Sequence, residues 1–202
     1  MDRNEIIEIA RSHMVNLKPM ETREKGYVFH HGLRTAGIAM KLVDLVDPSP
    51  VVDRDILFAA AVFHDIGKGS DPHNEIGAAM AGEVLAGQCS PKDIDAITRI
   101  IREHNQRHRA AECTMAVRIH QDADILDHFG AQCIWLAFHW NALHDETPQQ
   151  SLEYYHSNRN KEWLAAAQES LNFEVSQSIL DEKITFERDF YDRFAQEMDG
   201  VF

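Results

Sequence analysis

Apolar residues recur every three to four positions along almost the whole chain, which is the spacing of one face of an α-helix. The first such stripe runs from Ile6 to Leu17, and Pro19 closes the segment. No segment shows the strict alternation typical of a β-strand, and no internal repeat is visible. The pattern therefore predicts an all-α protein, folded as a helical bundle.

Helix start and stop signals divide the rest of the chain. The segment "ILFAAAVF" is apolar on all sides and predicts a central buried helix, with Asp53 as its N-cap. Ser90 is predicted to cap a helix that has Pro91 at its first position. Helices are further predicted over 31–46, where "VDPSP" stops the helix, over 73–87, from Thr114 to about Phe129, and over 131–143, 151–170 and 176–199, with "HDETPQQ" as a loop.

The predicted helices fall into two regions. Residues 1–144 are expected to form the core domain, and residues 145–202 a C-terminal helical extension that packs on the core or on a partner. The last helix carries its apolar stripe at Leu180, Ile184, Tyr191, Phe194 and Met198. A homodimer through this helix is one prediction, and packing on its own domain is the other.

Composition excludes several classes of protein. The chain has 202 residues, 44% of them hydrophobic, which suits one sizeable domain with its own core. Its net charge of −13 argues against a nucleic-acid-binding surface, which needs a basic face. The three cysteines show no paired spacing, the N-terminus lacks the pattern of a signal peptide, and no apolar stretch approaches a membrane span. We therefore expect a cytoplasmic protein that makes no membrane contact.

The stretch "AAAVFHDIGKG", residues 59–69, ends a buried helix on His64 and Asp65. A charge removed from water is costly unless it is paired or bound to a metal. Other polar residues fall on predicted interior faces: His104 follows the stripe Ile94, Ile97 and Ile101, His73 begins the stripe Ile76, Met80 and Val84, and His31 and Asp124 lie on helices of their own. Each alone could be a core residue with one hydrogen bond. Together they favour a metal site, because imidazole and carboxylate are good ligands for Zn, Mn, Fe and Ni.

The order His31, His64-Asp65 and Asp124 resembles the H…HD…D motif of the HD-domain superfamily of metal-dependent phosphohydrolases. The local contexts "HHGLRTAGIAMKL", "AAAVFHDIGKG", "IIREHN" and "QDADILDHFGA" resemble the motifs of that family in the same order, over roughly residues 27–135. The resemblance implies a helical HD domain that holds one or two divalent ions, with Mn, Fe, Ni, Zn and Mg as candidates.

The resemblance also implies a set of metal ligands. His31, His64, Asp65 and Asp124 match the motif, with Asp65 as a candidate bridge between two ions and a candidate catalytic residue. His73 and His104 resemble the extra ligands of subgroups that hold two metals. His30 is the alternative to His31, and a helical offset of about 100° separates the two. Asp124 is preferred to Asp122 and Asp127, of which Asp127 is read as a supporting or capping acid.

The chain departs from the family pattern at two places. Many relatives have Arg after the last aspartate, where this chain has Ile125, so one cation that could hold substrate phosphate is absent there. His73 follows His64 by only nine residues, and it could therefore ligate metal or bind substrate.

The resemblance implies hydrolysis of a phosphate ester by metal-activated water, and a small phosphorylated metabolite or nucleotide is the expected substrate. Lys68 and Arg34 are the predicted phosphate clamps because both lie next to ligands, the alternatives being a solvated lysine and a surface ion pair. Glu75 and Glu103 also flank histidines, and for both an acid on the helix surface is the preferred interpretation over a general base.

Two other functions stay open. HD-fold relatives with a di-iron centre activate O₂, and Tyr27, ahead of the first histidine, resembles the gating residues of one such group. A non-catalytic metal-binding or regulatory module is the third possibility, although the intact ligand set argues against it. The aromatic cluster Trp135, Phe138 and Trp140 is interpreted as core rather than as a binding site.

Overall fold

The computed structural model describes residues 1–46 and 51–201. Within these ranges the regular secondary structure is helical and contains no β-strand, as the sequence predicts. The helices are α1 (Arg3–Met14), α2 (Tyr27–Val46), α3 (Arg54–Phe63), α4 (His73–Val84), α5 (Pro91–Glu103), α6 (Met115–Asp127), α7 (Ala131–Leu143), α8 (Pro148–His156), α9 (Asn158–Glu169) and α10 (Glu174–Met198), with a 3₁₀ segment over Arg107–Glu112 between α5 and α6.

Two predicted N-caps are confirmed by their hydrogen bonds. The carboxylate of Asp53 accepts from the backbone N–H groups of Asp55 and Ile56, which start α3. The hydroxyl of Ser90 accepts from the backbone N–H of Asp93 at the start of α5. Helix α3 is buried from Ala59 to Phe63, as its uninterrupted apolar sequence predicts.

Helix α2 starts one turn earlier than predicted, at Tyr27 rather than at residue 31. His31 therefore lies inside the helix, and Tyr27 stacks on its ring at a centroid distance of 5.6 Å. At the other end α2 reaches Val46, and the rest of the predicted stop signal, residues 47–50, lies outside the described residues. Helix α1 ends at Met14, short of the predicted Leu17.

The predicted helix over 151–170 is wrong, because two helices occupy this region. Ser157 has an extended backbone, with φ −67° and ψ 156°, and its hydroxyl accepts from the N–H of Asn160 to start α9. Thr147 and Gln150 form a reciprocal capping box that starts α8 inside the predicted loop "HDETPQQ". The serine and threonine caps decide these boundaries, and the apolar spacing does not show them.

Helix α4 buries a different face from the predicted one. The residues it buries are Asn74, Gly77, Ala78 and Ala81, whereas Met80 of the predicted stripe is 37% exposed. Small residues occupy the buried face because the backbone of the turn at Gly67 approaches it closely. A Cβ on Gly67 would lie 2.5 Å from the backbone N of Gly77, a distance at which the two segments could not both keep their place.

The chain forms two compact units, Met1–Asp124 and Ile125–Phe202. The most extensive helix pairings of the first unit are α2 with α3, α4 with α5, and α3 with α5. This division does not coincide with the predicted domains 1–144 and 145–202, whose boundary stays a prediction. No helix in the described part of the chain is both long enough and apolar enough to cross a membrane.

In the second unit, a small core forms around Ile134, Leu152 and Tyr191. Phe138 packs against this core, whereas Trp135 and Trp140 are 52% and 42% exposed. The interpretation of the aromatic cluster as core is therefore right for Phe138 and wrong for the two tryptophans. Each exposed indole stacks on the histidine four residues later in the chain.

Candidate metal centre

Helices α2 and α6 and the C-cap of α3 bring His31, Asp124 and His64 to one buried point. The Nε2 atoms of His31 and His64 are 3.1 Å apart, and His31 Nε2 is 3.1 Å from Asp124 Oδ1. The distance from His64 Nε2 to the same carboxylate oxygen is 3.6 Å. Two donors bound to one ion at about 2.1 Å lie about 3.0–3.4 Å apart for octahedral or tetrahedral angles, so these separations suit a shared cation.

Asp65 joins this group from the turn after α3. Its Oδ2 atom lies 3.8 Å from His64 Nε2 and 4.0 Å from His31 Nε2. Its Oδ1 atom lies 3.8 Å from His73 Nε2. Asp65 therefore belongs to two groups whose donor atoms could each hold a metal ion: His31, His64 and Asp65, and Asp65, His73 and His104.

Backbone carbonyls fix the orientation of two imidazoles. His64 Nδ1 donates to the carbonyl of Ala61 at 2.8 Å, and His104 Nδ1 donates to the carbonyl of Ile101 at 2.6 Å. A carbonyl only accepts, so in each neutral ring the Nδ1 atom carries the proton and the Nε2 atom presents a lone pair. Histidines that bind metals are commonly held in this way. His104 Nε2 faces His73 Nε2 at 3.3 Å.

Contacts between helices hold the two groups in place. Gly32 of α2 lies so close to α3 that an added Cβ would stand 2.3 Å from the carbonyl oxygen of Val62. On the other side of the site, the amide of Asn74 donates to the carbonyl of Arg102 at 2.7 Å. This bond ties the first turn of α4, which carries His73, to the end of α5, which precedes His104.

Two basic side chains contact the candidate carboxylate ligands. Lys68 Nζ lies 3.2 Å from Asp65 Oδ2. Arg107, in the 3₁₀ segment, donates to Asp124 Oδ2 at 2.5 Å, which leaves the Oδ1 atom of Asp124 facing His31. Arg107 thus places a cation beside Asp124 from a different element, whereas the residue that directly follows Asp124 is the apolar Ile125.

The carboxyl group of Asp65 is held in its charged form. Burial acts against the charge, but His64, Lys68 and His31 together outweigh it and hold the pKa of Asp65 well below its usual range. Asp65 is therefore a carboxylate at neutral pH, as a metal ligand must be.

The histidines on the other side of the centre are held neutral. Burial, helped by His64, lowers the pKa of His104 to about 4. Burial and then Lys68 lower the pKa of His73. His120 is fully buried, and burial followed by His64 and His104 brings the pKa of this imidazole well below its ordinary value. Neutral imidazole is the form that binds metal ions.

The structure also places the secondary candidates. Glu75 pairs with Arg102 and Glu103 with Arg99, so both acids make ion pairs on the helix surface. Tyr27 is buried and its ring stacks on His31, so Tyr27 is a packing partner of a candidate ligand. Arg34 is half-buried on α2, and its role as a phosphate clamp stays a prediction. Within the described ranges, Asp122 belongs to none of the candidate ligand groups.

The sequence analysis did not single out two residues at this centre, Arg107 and His120. His120 precedes Asp124 by four residues, so the helical spacing that placed Asp124 also places His120 on the same face. For Arg107 the sequence offers no comparable signal, because its contact with Asp124 depends on the path of the 3₁₀ segment between α5 and α6.

These observations fit a divalent metal. The oriented imidazoles of His64 and His104 lie in a buried place with the carboxylates of Asp65 and Asp124. Neutral imidazole and carboxylate together are a mixed N/O donor set that suits divalent transition ions. The assignment of the six individual ligands, His31, His64, Asp65, His73, His104 and Asp124, stays a prediction.

Substitution of His31 and of its neighbour tests the first ligand. His31 is fully buried in the centre, whereas His30 is exposed. We expect His31→Ala to weaken metal binding by about 10- to 100-fold or more, because the loss of even a supporting contact of a metal site costs that much. His30→Ala is expected to bind metal as the wild type does. Competition with a chromophoric chelator measures both, and equal losses in the two variants would contradict the choice of His31.

Known structures resemble this fold closely. A predicted HD superfamily hydrolase from an uncultured Thermotogales bacterium is 20% identical with a TM-score of 0.64, and the alignment covers 96% of this chain and 92% of that one. An HD-superfamily hydrolase from Bacillus thuringiensis is 19% identical with a TM-score of 0.66, covering 98% and 99%. Bacillus subtilis YpgQ in complex with ADP is 16% identical with a TM-score of 0.64, covering 100% of both chains. No curated protein matches the sequence significantly.

The model of the HD domain family matches residues 28–128, which is half of the chain. The matched segment contains all six candidate ligands, and it runs from the first turn of α2 to the end of α6. The sequence motifs, the helical architecture and the buried His-Asp cluster all fall within it. The chain therefore belongs to the HD domain family.

Proposed function

We propose that this protein is a metal-dependent phosphohydrolase that acts on a small phosphorylated metabolite or nucleotide. The observation that supports this most is the convergence of His31, His64, Asp65 and Asp124 in one buried cluster, where two histidine donors face each other at 3.1 Å. Membership of the HD domain family and the likeness to two structures described as HD-superfamily hydrolases favour hydrolysis as the reaction class.

A divalent ion bound here would supply a Lewis acid and lower the pKa of water toward neutrality. His31, His64, Asp65 and Asp124 would hold one ion, and His73 and His104 would complete a second site that shares Asp65. The protein's own part is to keep these donors deprotonated and aligned. The carbonyls of Ala61 and Ile101 align two of the imidazoles, burial keeps His104 neutral, and His64 and Lys68 keep Asp65 charged.

A phosphorylated substrate needs cations near the centre, although the chain carries a net charge of −13. Lys68 and Arg107 both contact candidate ligands. The buried Nε atom of Arg107 makes no hydrogen bond within the described part of the chain, so this guanidinium keeps a donor for a phosphate oxygen. Arg34, one turn from His31 on α2, is the third candidate clamp.

A nucleotide is favoured among phosphorylated substrates by one comparison. Bacillus subtilis YpgQ has been crystallised with ADP, and its alignment with this chain covers both chains completely. We propose that a nucleotide or a similar small phosphate ester binds at the equivalent centre here. The predicted absence of nucleic-acid polymers as partners and the predicted homodimer stay predictions.

Replacement of Arg107 tests the cation at the last aspartate. Arg107→Ala is expected to lower kcat/KM for a phosphoester about 10- to 100-fold, because Asp124 loses the contact that orients it and the substrate loses a donor. Arg109→Ala is the control, since Arg109 lies in the same 3₁₀ segment but pairs only with the exposed Glu112 among the contacts described. Equal activities of the two variants would contradict a role for Arg107.

Metal analysis combined with an anaerobic screen of phosphoesters tests the proposed function. We expect about one or two equivalents of divalent metal per chain and phosphate release without O₂. Iron together with consumption of O₂ and no phosphate release would favour a di-iron oxygenase instead. A folded, active sample without any metal would contradict both, and metal without any turnover would favour a regulatory module.

A further inference from the structure

His120 lies on α6, one helical turn before Asp124 and on the same face of the helix. Its side chain is fully buried in the first unit. Both ring nitrogens are shielded from solvent, and neither has a hydrogen-bond partner among the residues that the structure describes. Among the histidines whose side chains the structure describes, His120 alone combines complete burial with two ring nitrogens that lack a hydrogen bond.

Such a residue needs an explanation. A buried donor or acceptor without a partner destabilises the fold, and an imidazole carries two such atoms. An apolar side chain of similar size would avoid this cost at a purely structural position. Unpaired buried polar groups in native proteins commonly mark a bound ion or water, or a catalytic role.

The ring of His120 packs against the rings of two candidate ligands. Its centroid lies 4.8 Å from that of His64, with an angle of 69° between the ring planes, and 5.9 Å from that of His104. The rings of His31 and His64, whose Nε2 atoms lie 3.1 Å apart, have a centroid distance of 4.9 Å and an interplanar angle of 68°. His120 thus packs against His64 in the same edge-to-face manner as an imidazole that shares its candidate site.

We propose that His120 is a further imidazole ligand of the metal centre, which binds through a ring nitrogen on the side where His64 and His104 stand. The inference rests on the metal centre of the proposed function and extends its ligand set beyond the H…HD…D residues. The bound ion would give a ring nitrogen the partner that the protein itself does not provide.

The additional imidazole has a consequence for the choice of metal. His31, His64, His73, His104 and His120 would offer five imidazole nitrogens against two carboxylates. Nitrogen donors suit Zn, Fe and Ni, whereas Mg prefers carboxylate and water oxygens. The centre is therefore expected to retain a transition ion in the presence of excess Mg²⁺.

The substitutions His120→Phe and His120→Gln test the assignment with binding measurements rather than with activity. The metal-free protein is titrated with Zn²⁺ and with Co²⁺ against a chelator of known affinity. We expect both variants to bind at least about tenfold more weakly than the wild type. Thermal unfolding of the metal-free proteins provides the second readout. His120→Phe is expected to be as stable as the wild type or more stable, because it removes two unpaired polar atoms from the interior.

His13→Phe serves as the matched control, since His13 is exposed on α1. Pulsed electron paramagnetic resonance of a Cu²⁺-loaded sample counts the coordinated imidazoles, and His120→Gln is expected to show one fewer than the wild type. The two variants differ in size and polarity, so His120→Gln remains available if the phenyl ring prevents folding.

Unchanged metal affinity and an unchanged imidazole count in either folded variant would overturn the assignment and make His120 a core residue. Failure of both variants to fold without metal would also overturn it, because it would show a structural need for the imidazole. If the wild type itself binds no metal, the proposed function fails first, and this result is distinct from a failure of His120 alone.

Discussion

Asp65→Asn is expected to abolish metal retention and, with it, turnover. In the described structure Asp65 is shared by two ligand groups, one with His31 and His64 and the other with His73 and His104. Its loss therefore affects both candidate ion positions at once. Removal of one partner from a buried charge pair costs about 3–5 kcal/mol. At about 1.4 kcal/mol for each factor of ten, metal binding should weaken by roughly 10³-fold.

The asparagine keeps the size of the side chain and removes only the charge, so circular dichroism should show the helical content of the wild type. Asp71→Asn removes the same charge from an exposed position six residues later and serves as the control. Elemental analysis after gel filtration and a phosphoester assay measure both variants. Retention of metal and activity by Asp65→Asn would refute the role of Asp65 as the shared ligand.

Gly32→Ala is expected to destabilise the first unit by about 3 kcal/mol. The added Cβ would stand 2.3 Å from the carbonyl oxygen of Val62 and 3.3 Å from that of Ala61. Both atoms belong to the backbone of α3 and cannot rotate away, so the two helices must separate. Overpacking of this kind typically costs 1–3 kcal/mol or somewhat more.

The same substitution should weaken metal binding, because the Ala61 carbonyl that would move also holds the ring of His64. Gly37→Ala, on the same helix, is the matched control. Gly37 is exposed, and no atom lies within 4 Å of an added Cβ, so this change should stabilise α2 by up to about 1 kcal/mol. Chemical denaturation of the metal-free proteins measures both changes. A similar effect of the two substitutions would contradict the close approach of α2 and α3 at Gly32.

The helical architecture and the location of the centre could be read from the chain because each depends on local pattern. Stripes at helical spacing gave the helices, and the side-chain caps at Asp53 and Ser90 gave two of their starts. The His64-Asp65 pair at the end of an apolar helix was recognisable because burial of these groups without compensation is costly.

Packing between segments decided what the chain pattern missed. Helix α4 carries apolar residues on one face and small residues on another, and the small face is buried because the turn at Gly67 approaches it. The break at Ser157 likewise arises from a cap that competes with continuation of the helix. Hydrophobic periodicity does not distinguish these outcomes, since both arrangements bury apolar surface.

The amino-acid sequence by itself determined that the protein is all-α, that it belongs to the HD domain family, and which histidines and aspartates are candidates for the centre. Only the tertiary structure decided which donor atoms face one another, that Asp65 joins both groups, and that Arg107 and His120 stand beside them. Residue type and helical spacing act within one element and can be read along the chain. Distances between atoms of different helices depend on how closely the backbones approach, and this is set by contacts such as that of Gly32 with Val62.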